Sequence, residues 1–178
     1  MASEKSSPPI TAPESSLMRS MAAGETLDAV YIYGNNRAGA IEGVKAMERG
    51  WHALCEKPMG LTSRACKLMC EKAQETGRGL SVAENYRRDP INRLAKALLD
   101  QGIIGQPRLM LHNTMGGGDR MLISVWRHQK NASGVLLDVG THFADIMEYF
   151  LGRAETAYAQ TRLHEKIRKN PIAGKDVS

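Results

Sequence analysis

Residues 52–60 read HALCEKPMG, and the placement of this stretch decides the fold. His52 to Cys55 is a short apolar run of the kind that sits half-buried in a sheet. Glu56, Lys57 and Pro58 then arrive together. Pro58 fixes its own φ and pushes Lys57 toward extended geometry. Charge at the end of an apolar strand marks either the point where the chain meets water or a working site, and the neighbouring segments decide between them.

Upstream, DAVYIYG (residues 28–34) is a short buried strand rich in Val, Ile and Tyr and stopped by Gly34. GAIEGVKAMERG (39–50) sets Ile41, Val44 and Met47 along one face and predicts a helix ending near Gly50. Downstream, SRACKLMCEKAQETG (63–77) turns Ala65, Leu68, Met69 and Ala73 inward and stops at Gly77, and LSVAENY (80–86) is a third strand. Strands alternating with helices of this length imply right-handed crossovers and a parallel sheet. Ligands of such sheets gather at the carboxyl ends of the strands. Those ends are Gly34–Asn36, Glu56–Pro58 and Glu84–Arg88, and all three carry polar groups.

PINRLAKALLDQG (90–102) predicts a third helix, with Pro90 in its first turn and Ile91, Leu94, Ala95, Leu98 and Leu99 as its apolar stripe. After it the rhythm breaks. QPRLMLHNTM (106–115) reads as a strand and GGGDR (116–120) as a flexible loop. No Gly-Lys-Ser/Thr follows those glycines and no helix starts there, so a plain loop is favoured over a phosphate loop. SGVLLDVGTHFADIMEYFLG (133–152) predicts a long amphipathic helix that Ser133 could cap, and ETAYAQTRL (155–163) another strand. The class is α/β, half of a doubly wound parallel sheet followed by part of an α+β domain. The expected division is a disordered leader at 1–27, a partial sheet domain at 28–87 and a partial second domain at 88–178, with the boundary near Tyr86 to Pro90.

The chain has 178 residues, 42% hydrophobic and 24% charged, which suits one domain or parts of two and excludes a wholly disordered polymer. Much of the net charge of +5 lies in RLHEKIRKNPIAGK (162–175), which reads as a solvated surface. No aromatics interleave with it, so nucleic acid is not an expected partner. Three cysteines without a signal peptide point to a reducing, cytoplasmic setting. Cys66 and Cys70 could share a helix face as metal ligands, but no further Cys or His cluster completes a site, so packing cysteines are expected and no metal. Asn131-Ala132-Ser133 matches a glycosylation acceptor without a secretory context. No apolar run reaches membrane-spanning length.

On the long helix Asp138, His142, Asp145 and Tyr149 fall on one stripe, opposite Val139, Phe143, Ile146, Met147 and Phe150. One reading is a wet helix face with a weak Asp–His pair. The other is a histidine base beside a carboxylate that favours its protonated form. Lys57 likewise either begins a loop or is a cation held at a strand end, able to bond a substrate hydroxyl and steady the alkoxide as it forms.

DAVYIYGNN, HALCEKPMGLT, VAENYRRDP, WRHQ and SGVLLDVGTHFADIMEYFLG, in that order, resemble the glucose–fructose oxidoreductase and inositol dehydrogenase family (Gfo/Idh/MocA) from Leu27 to about Ala159. The most specific pieces are Glu56-Lys57-Pro58 and the run Asp138-x-Gly140-x-His142. The resemblance implies an NAD- or NADP-dependent oxidoreductase acting on sugars, sugar acids or cyclitols. It also implies the C-terminal half of a Rossmann-like parallel sheet, a second domain with a mainly antiparallel sheet, and a homo-oligomer. It makes Lys57, Asp138 and His142 the catalytic set: a lysine at the reacting hydroxyl, an orienting carboxylate and the general base. The cofactor side would be Gly34, Asn35, Asn36, Glu56, Lys57, Pro58, Asn85, Trp126 and Arg127, with a cis bond before Pro58. The sequence departs from the family in having no Gly-x-Gly-x-x-Gly turn, and its first strand resembles the family's fourth. The loop after that strand is Gly34-Asn35-Asn36 in place of a Thr-Pro-Asn type. The chain is therefore expected to be an internal piece of a longer enzyme; the alternative is a truncated, non-catalytic remnant without productive cofactor binding.

Overall fold

The computed structural model describes residues 24, 27–33, 36–116, 118–120, 125–128, 134–164, 166–167 and 169–170, with backbone alone at 36, 37, 125 and 126. Three strands, β1 (Ala29–Ile32), β2 (His52–Cys55) and β3 (Leu80–Val82), pair in parallel in the order β1-β2-β3. Ile32 lies opposite Cys55 and Cys55 opposite Val82, so the three strands finish level. Helix α1 (Asn36–Glu48) joins the first pair and α2 (Ser63–Thr76) the second. Helices α3 (Pro90–Asp100) and α4 (Gly134–Leu151) follow, with single 3-10 turns at Tyr86–Arg88 and Val125–His128.

The alternation along β2 sets the layers. Ala53 and Cys55 point into the protein while His52 and Leu54 point out. The inward face meets α1 and α2 around Ile32, Ala40, Met47, Ala53, Cys55 and Met69. Gly43 permits the close packing: a Cβ there would stand 2.6 Å from the Met69 side chain. Trp51 and Ala46 close one end against Leu27 and Val30. The helix ends follow ordinary capping chemistry. The Thr62 hydroxyl accepts the Ala65 N–H at 3.2 Å, and Gly77 stops α2 in the left-handed region at φ 64°. Asp89 accepts the Ile91 N–H at 2.9 Å, with Pro90 opening α3.

The structure departs from the sequence expectation in several places. Strand β1 is not fully buried: Tyr31, Leu54 and Ser81 share the outer face of the sheet, and Tyr31 is 50% exposed. Ile41 and Leu68 are also exposed, because Gly43, Ala46 and Met47 carry the α1 contact and Met69 that of α2. The α3 stripe faces outward, with Ile91 76% exposed and Leu94 and Leu98 also open. With the following turn and the end of α4 it frames an apolar groove of about 380 Å³ lined by Leu98, Leu99, Ile103, Ile104, Phe150 and Leu151.

The strands expected at 106–115 and 155–163 do not form. A ladder needs a neighbouring strand about 4.8 Å away. Among the described residues after Val82 the sole pairing is a single bridge between Arg120 and Lys169. Leu109, Leu111 and Leu163 are exposed in consequence. No helix among the described residues is long and apolar enough to cross a membrane. The expected leader lies outside the described residues except for Gly24 and Leu27, as does Ser133.

The burial pattern predicts that Met47→Ala, at a fully enclosed site, lowers unfolding free energy by about 2–5 kcal/mol, whereas Ile91→Ala shifts it by less than about 0.5 kcal/mol. Urea denaturation of the two variants measures the contrast.

Candidate functional site

Asp138 lies on the stripe of α4 that reads as its wet face, yet it is only 2% exposed. Two cations account for its burial. Lys57, just past the end of β2, donates from Nζ to Asp138 Oδ1 at 3.0 Å and to the Asp138 carbonyl oxygen at 2.8 Å. Arg127, from the turn before α4, donates from Nε to Oδ2 at 2.8 Å. Burial pushes the Asp138 carboxyl upward, but the hydrogen bonds and charges of Lys57 and Arg127 outweigh it and hold its pKa below the ordinary carboxylate value.

One turn further, His142 Nδ1 lies 2.7 Å from Glu84 Oε1, and the His142 ring stacks on Tyr86 with centroids 4.3 Å apart. The Tyr86 backbone N–H also donates to Glu84 Oε1, at 3.0 Å. Glu84 Oε2 is buried and has no hydrogen-bond partner among the described residues. A buried acceptor left so costs about 1–3 kcal/mol. On the next turn Asp145 accepts two bonds from Arg87, through Nε at 2.8 Å and through Nη2. The Asp145 bond raises the Arg87 pKa against the opposing effect of burial. The Arg87 guanidinium also lies 5.5 Å from the Tyr149 ring centroid. Each member of the predicted stripe thus meets a residue from the carboxyl ends of β2 and β3. A cleft of about 580 Å³ runs beside this seam, lined by Lys57, Ser81, Glu84, Arg87, Thr141 and Asp145 among others.

Lys57, Asp138 and Arg127 are therefore brought together, and His142 stands one turn along the same stripe. The expected Asp138–His142 pair is not formed: Asp138 is held by the two cations, and the carboxylate on His142 is Glu84. The sequence marks Glu84–Arg88 as a strand end without singling out Glu84; an acidic residue directly after an apolar strand is the available signal. Glu56 is engaged by the Tyr31 hydroxyl through Oε1 and by the Lys57 N–H at 3.2 Å through Oε2. The Lys57–Pro58 peptide is cis and Pro58 is buried. Asn85 is exposed, and its carbonyl accepts the N–H groups of Arg88 and Asp89. Gly34 and Asn35 lie outside the described residues, and Asn36 and Trp126 are placed by backbone alone, at the start of α1 and in the second 3-10 turn.

Among the described residues no group of three or more His, Cys, Asp or Glu side chains could hold a metal ion. All three thiols are free. Burial, with a smaller effect of Glu42, pushes the Cys55 thiol up to about 11, which leaves it inert at neutral pH.

Comparison with known proteins places this chain in a family. A model described as an oxidoreductase family with an NAD-binding Rossmann fold matches residues 3–84, and the GFO/IDH/MocA C-terminal domain matches 92–176. The chain belongs to the Gfo/Idh/MocA oxidoreductase family. Among curated members, levoglucosan dehydrogenase of Pseudarthrobacter phenanthrenivorans is 33% identical over 139 residues, covering 75% of this chain and 35% of that protein. The scyllo-inositol 2-dehydrogenase (NAD(+)) of Bacillus subtilis is 31% identical over 146 residues, covering 82% and 41%. Among solved structures, an NAD binding oxidoreductase from Klebsiella pneumoniae superposes with a TM-score of 0.66 at 28% identity, over 84% of this chain and 41% of that one. Levoglucosan dehydrogenase in complex with NADH and levoglucosan gives 0.63 at 31% identity, over 76% and 37%. The chain spans less than half the length of each of these relatives.

The lowered Asp138 pKa fixes a pH dependence. An unfolded aspartate titrates near ~3.9, so the seam contributes fully above that value and loses its contribution as pH falls through the lower folded value. Asp138→Asn should cost on the order of 2 kcal/mol at pH 7, less than a fully buried pair because Lys57 and Arg127 are partly exposed, and the cost should shrink below about pH 4. Urea denaturation of both proteins across that range reads the convergence.

Proposed function

We propose that this chain carries the hydroxyl-handling end of an NAD(P)-dependent oxidoreductase that moves hydride between a nicotinamide cofactor and a hydroxyl of a sugar, sugar acid or cyclitol. The observation that supports it best is the joining of a strand-end lysine and a helix-borne histidine by one seam, beside a cleft that Lys57 and Glu84 line. Residues 28–87 would supply the cofactor side and residues 88–178 the substrate side.

In this reading Lys57 bonds the reacting hydroxyl. Two of the three ammonium protons go to Asp138, which leaves one for substrate. As the hydroxyl loses its proton, the lysine charge steadies the developing alkoxide. His142 takes that proton at Nε2, the nitrogen that Glu84 does not engage. Asp138 aims Lys57. The nicotinamide group, when bound, accepts or returns the hydride. Names of relatives support the substrate class: they include dehydrogenases of levoglucosan, scyllo-inositol and D-xylose, the last with NADP(+).

The fit to the cofactor is uneven. The nicotinamide end would meet Lys57, Glu56 and Pro58, with the loop at Gly34, Asn35 and Asn36 and with Asn85, Trp126 and Arg127 around them. A pyrophosphate is held where a glycine turn meets a helix N-terminus, and the 178 residues contain no Gly-x-Gly-x-x-Gly turn. That observation favours a second reading, in which this chain keeps the hydroxyl end without binding cofactor productively.

A fluorescence titration with NADH distinguishes the readings. The missing turn predicts binding weaker than about 1 mM, and micromolar binding would remove the second reading. For the site itself, His142→Ala should slow turnover of a sugar or cyclitol by about 10²–10⁴-fold in a form that turns over substrate. An unchanged rate removes His142 from the proton transfer.

A further inference from the structure

We infer that Glu84 is the positioning residue for His142, fixing the imidazole with its proton on Nδ1 and its lone pair on Nε2. The inference rests on the hydroxyl-oxidising reading above and adds a residue to it. The geometry is that of an oriented base. Glu84 Oε1 lies 2.7 Å from Nδ1, and a carboxylate only accepts, so the neutral ring must donate from Nδ1. Nε2 is then bare and able to receive a proton. Tyr86 fixes the remaining freedom by stacking on the ring with planes 12° apart, while its own N–H steadies Oε1.

The other charged groups around His142 are already committed. On its own helix Asp138 is held by Lys57 and Arg127, and Asp145 by Arg87. From the end of β3 and the turn after it come Glu84, Tyr86 and Arg87, and the Arg87 charge also interacts with that of Glu84. His112 lies against Phe143 rather than His142. Glu84 is therefore the carboxylate that answers to the imidazole. A pair made only for packing would also be well served by an amide, whereas Glu84 keeps a buried oxygen without a partner. A carboxylate on Nδ1 is what stabilises the imidazolium formed when the hydroxyl proton arrives at Nε2, and Nδ1 keeps its own proton.

Long-range ¹H–¹⁵N spectra of the full 178-residue chain test this, with His142→Gln used to assign the His142 ring among the five histidines. The expected result is the Nδ1–H tautomer for neutral His142. Glu84→Ala should make the Nε2–H tautomer, the form a free neutral imidazole favours in water, the major one, and Glu84→Asp should restore part of the Nδ1–H population. An Nε2–H tautomer in the unmodified chain overturns the inference. So does an unchanged tautomer in Glu84→Ala with native spectral dispersion. Should Glu84→Ala fail to fold, the tautomers of the unmodified chain and of Glu84→Asp carry the test, and an Nε2–H ring in the unmodified chain overturns it there too. In a form that turns over substrate, Glu84→Ala should lower kcat by at least about 10-fold with KM little changed; an unchanged kcat beside a changed tautomer overturns the positioning role. The spectra need neither cofactor nor substrate. A null result in them therefore overturns the Glu84 inference without touching the hydride-transfer reading, and absent turnover with the expected spectra counts against that reading alone.

Discussion

The carboxylate of Asp138 is almost wholly withdrawn from water, and it can sit there because Lys57 and Arg127 each give it a charge-assisted hydrogen bond. Much of the arrangement depends on that exchange. It turns the polar stripe of α4 inward, and it ties the end of β2 to a helix 81 residues away in sequence. With α4 so rotated, the spacing of an α-helix delivers His142 and Asp145 to the residues that follow β3. Glu84, Tyr86 and Arg87 meet them there. The seam is thus a set of complementary pairs in register, one pair per turn, and not a hydrophobic interface.

The parallel sheet prepares this. Its strands end level, so Glu56, Lys57 and Glu84 emerge on one side of the molecule. Helices α1 and α2 cover one face and leave the strand ends clear. The apolar groove along α3 and the end of α4 has no charged or polar lining side chain, and it lies outside the polar seam. The polar seam therefore gathers where a parallel sheet of this kind presents its loops.

Much of this was legible in the sequence because local signals agreed. The three strands, the Gly77 stop, the Pro90 start and the inward Met47 and Met69 each follow from a residue's own physics. Face assignments were less secure. Ile41 and Leu68 have the right spacing, but small residues at Gly43 and Ala46 let α1 approach and took the contact in place of Ile41. The segments 106–115 and 155–163 have strand-like composition, yet a strand is a property of a pair, and a single segment cannot show whether its neighbour is present. The stripe at Asp138, His142, Asp145 and Tyr149 was visible, but its partners were not. Spacing places side chains on a face without saying what they face, so Glu84 stayed unmarked and Asp138 was paired with the wrong neighbour.

The chain belongs to the Gfo/Idh/MocA family, and one seam holds both its strand-end Lys57 and its helix-borne His142. The central claim is physical: Lys57 and Asp138 stabilise one another across that seam. A double-mutant cycle measures it most directly, using Lys57→Met, Asp138→Asn and the double variant, each unfolded in urea at pH 7. The account predicts a coupling energy of at least about 1 kcal/mol, with the double variant less damaged than the sum of the single ones. Single effects that add within about 0.3–0.5 kcal/mol would contradict it.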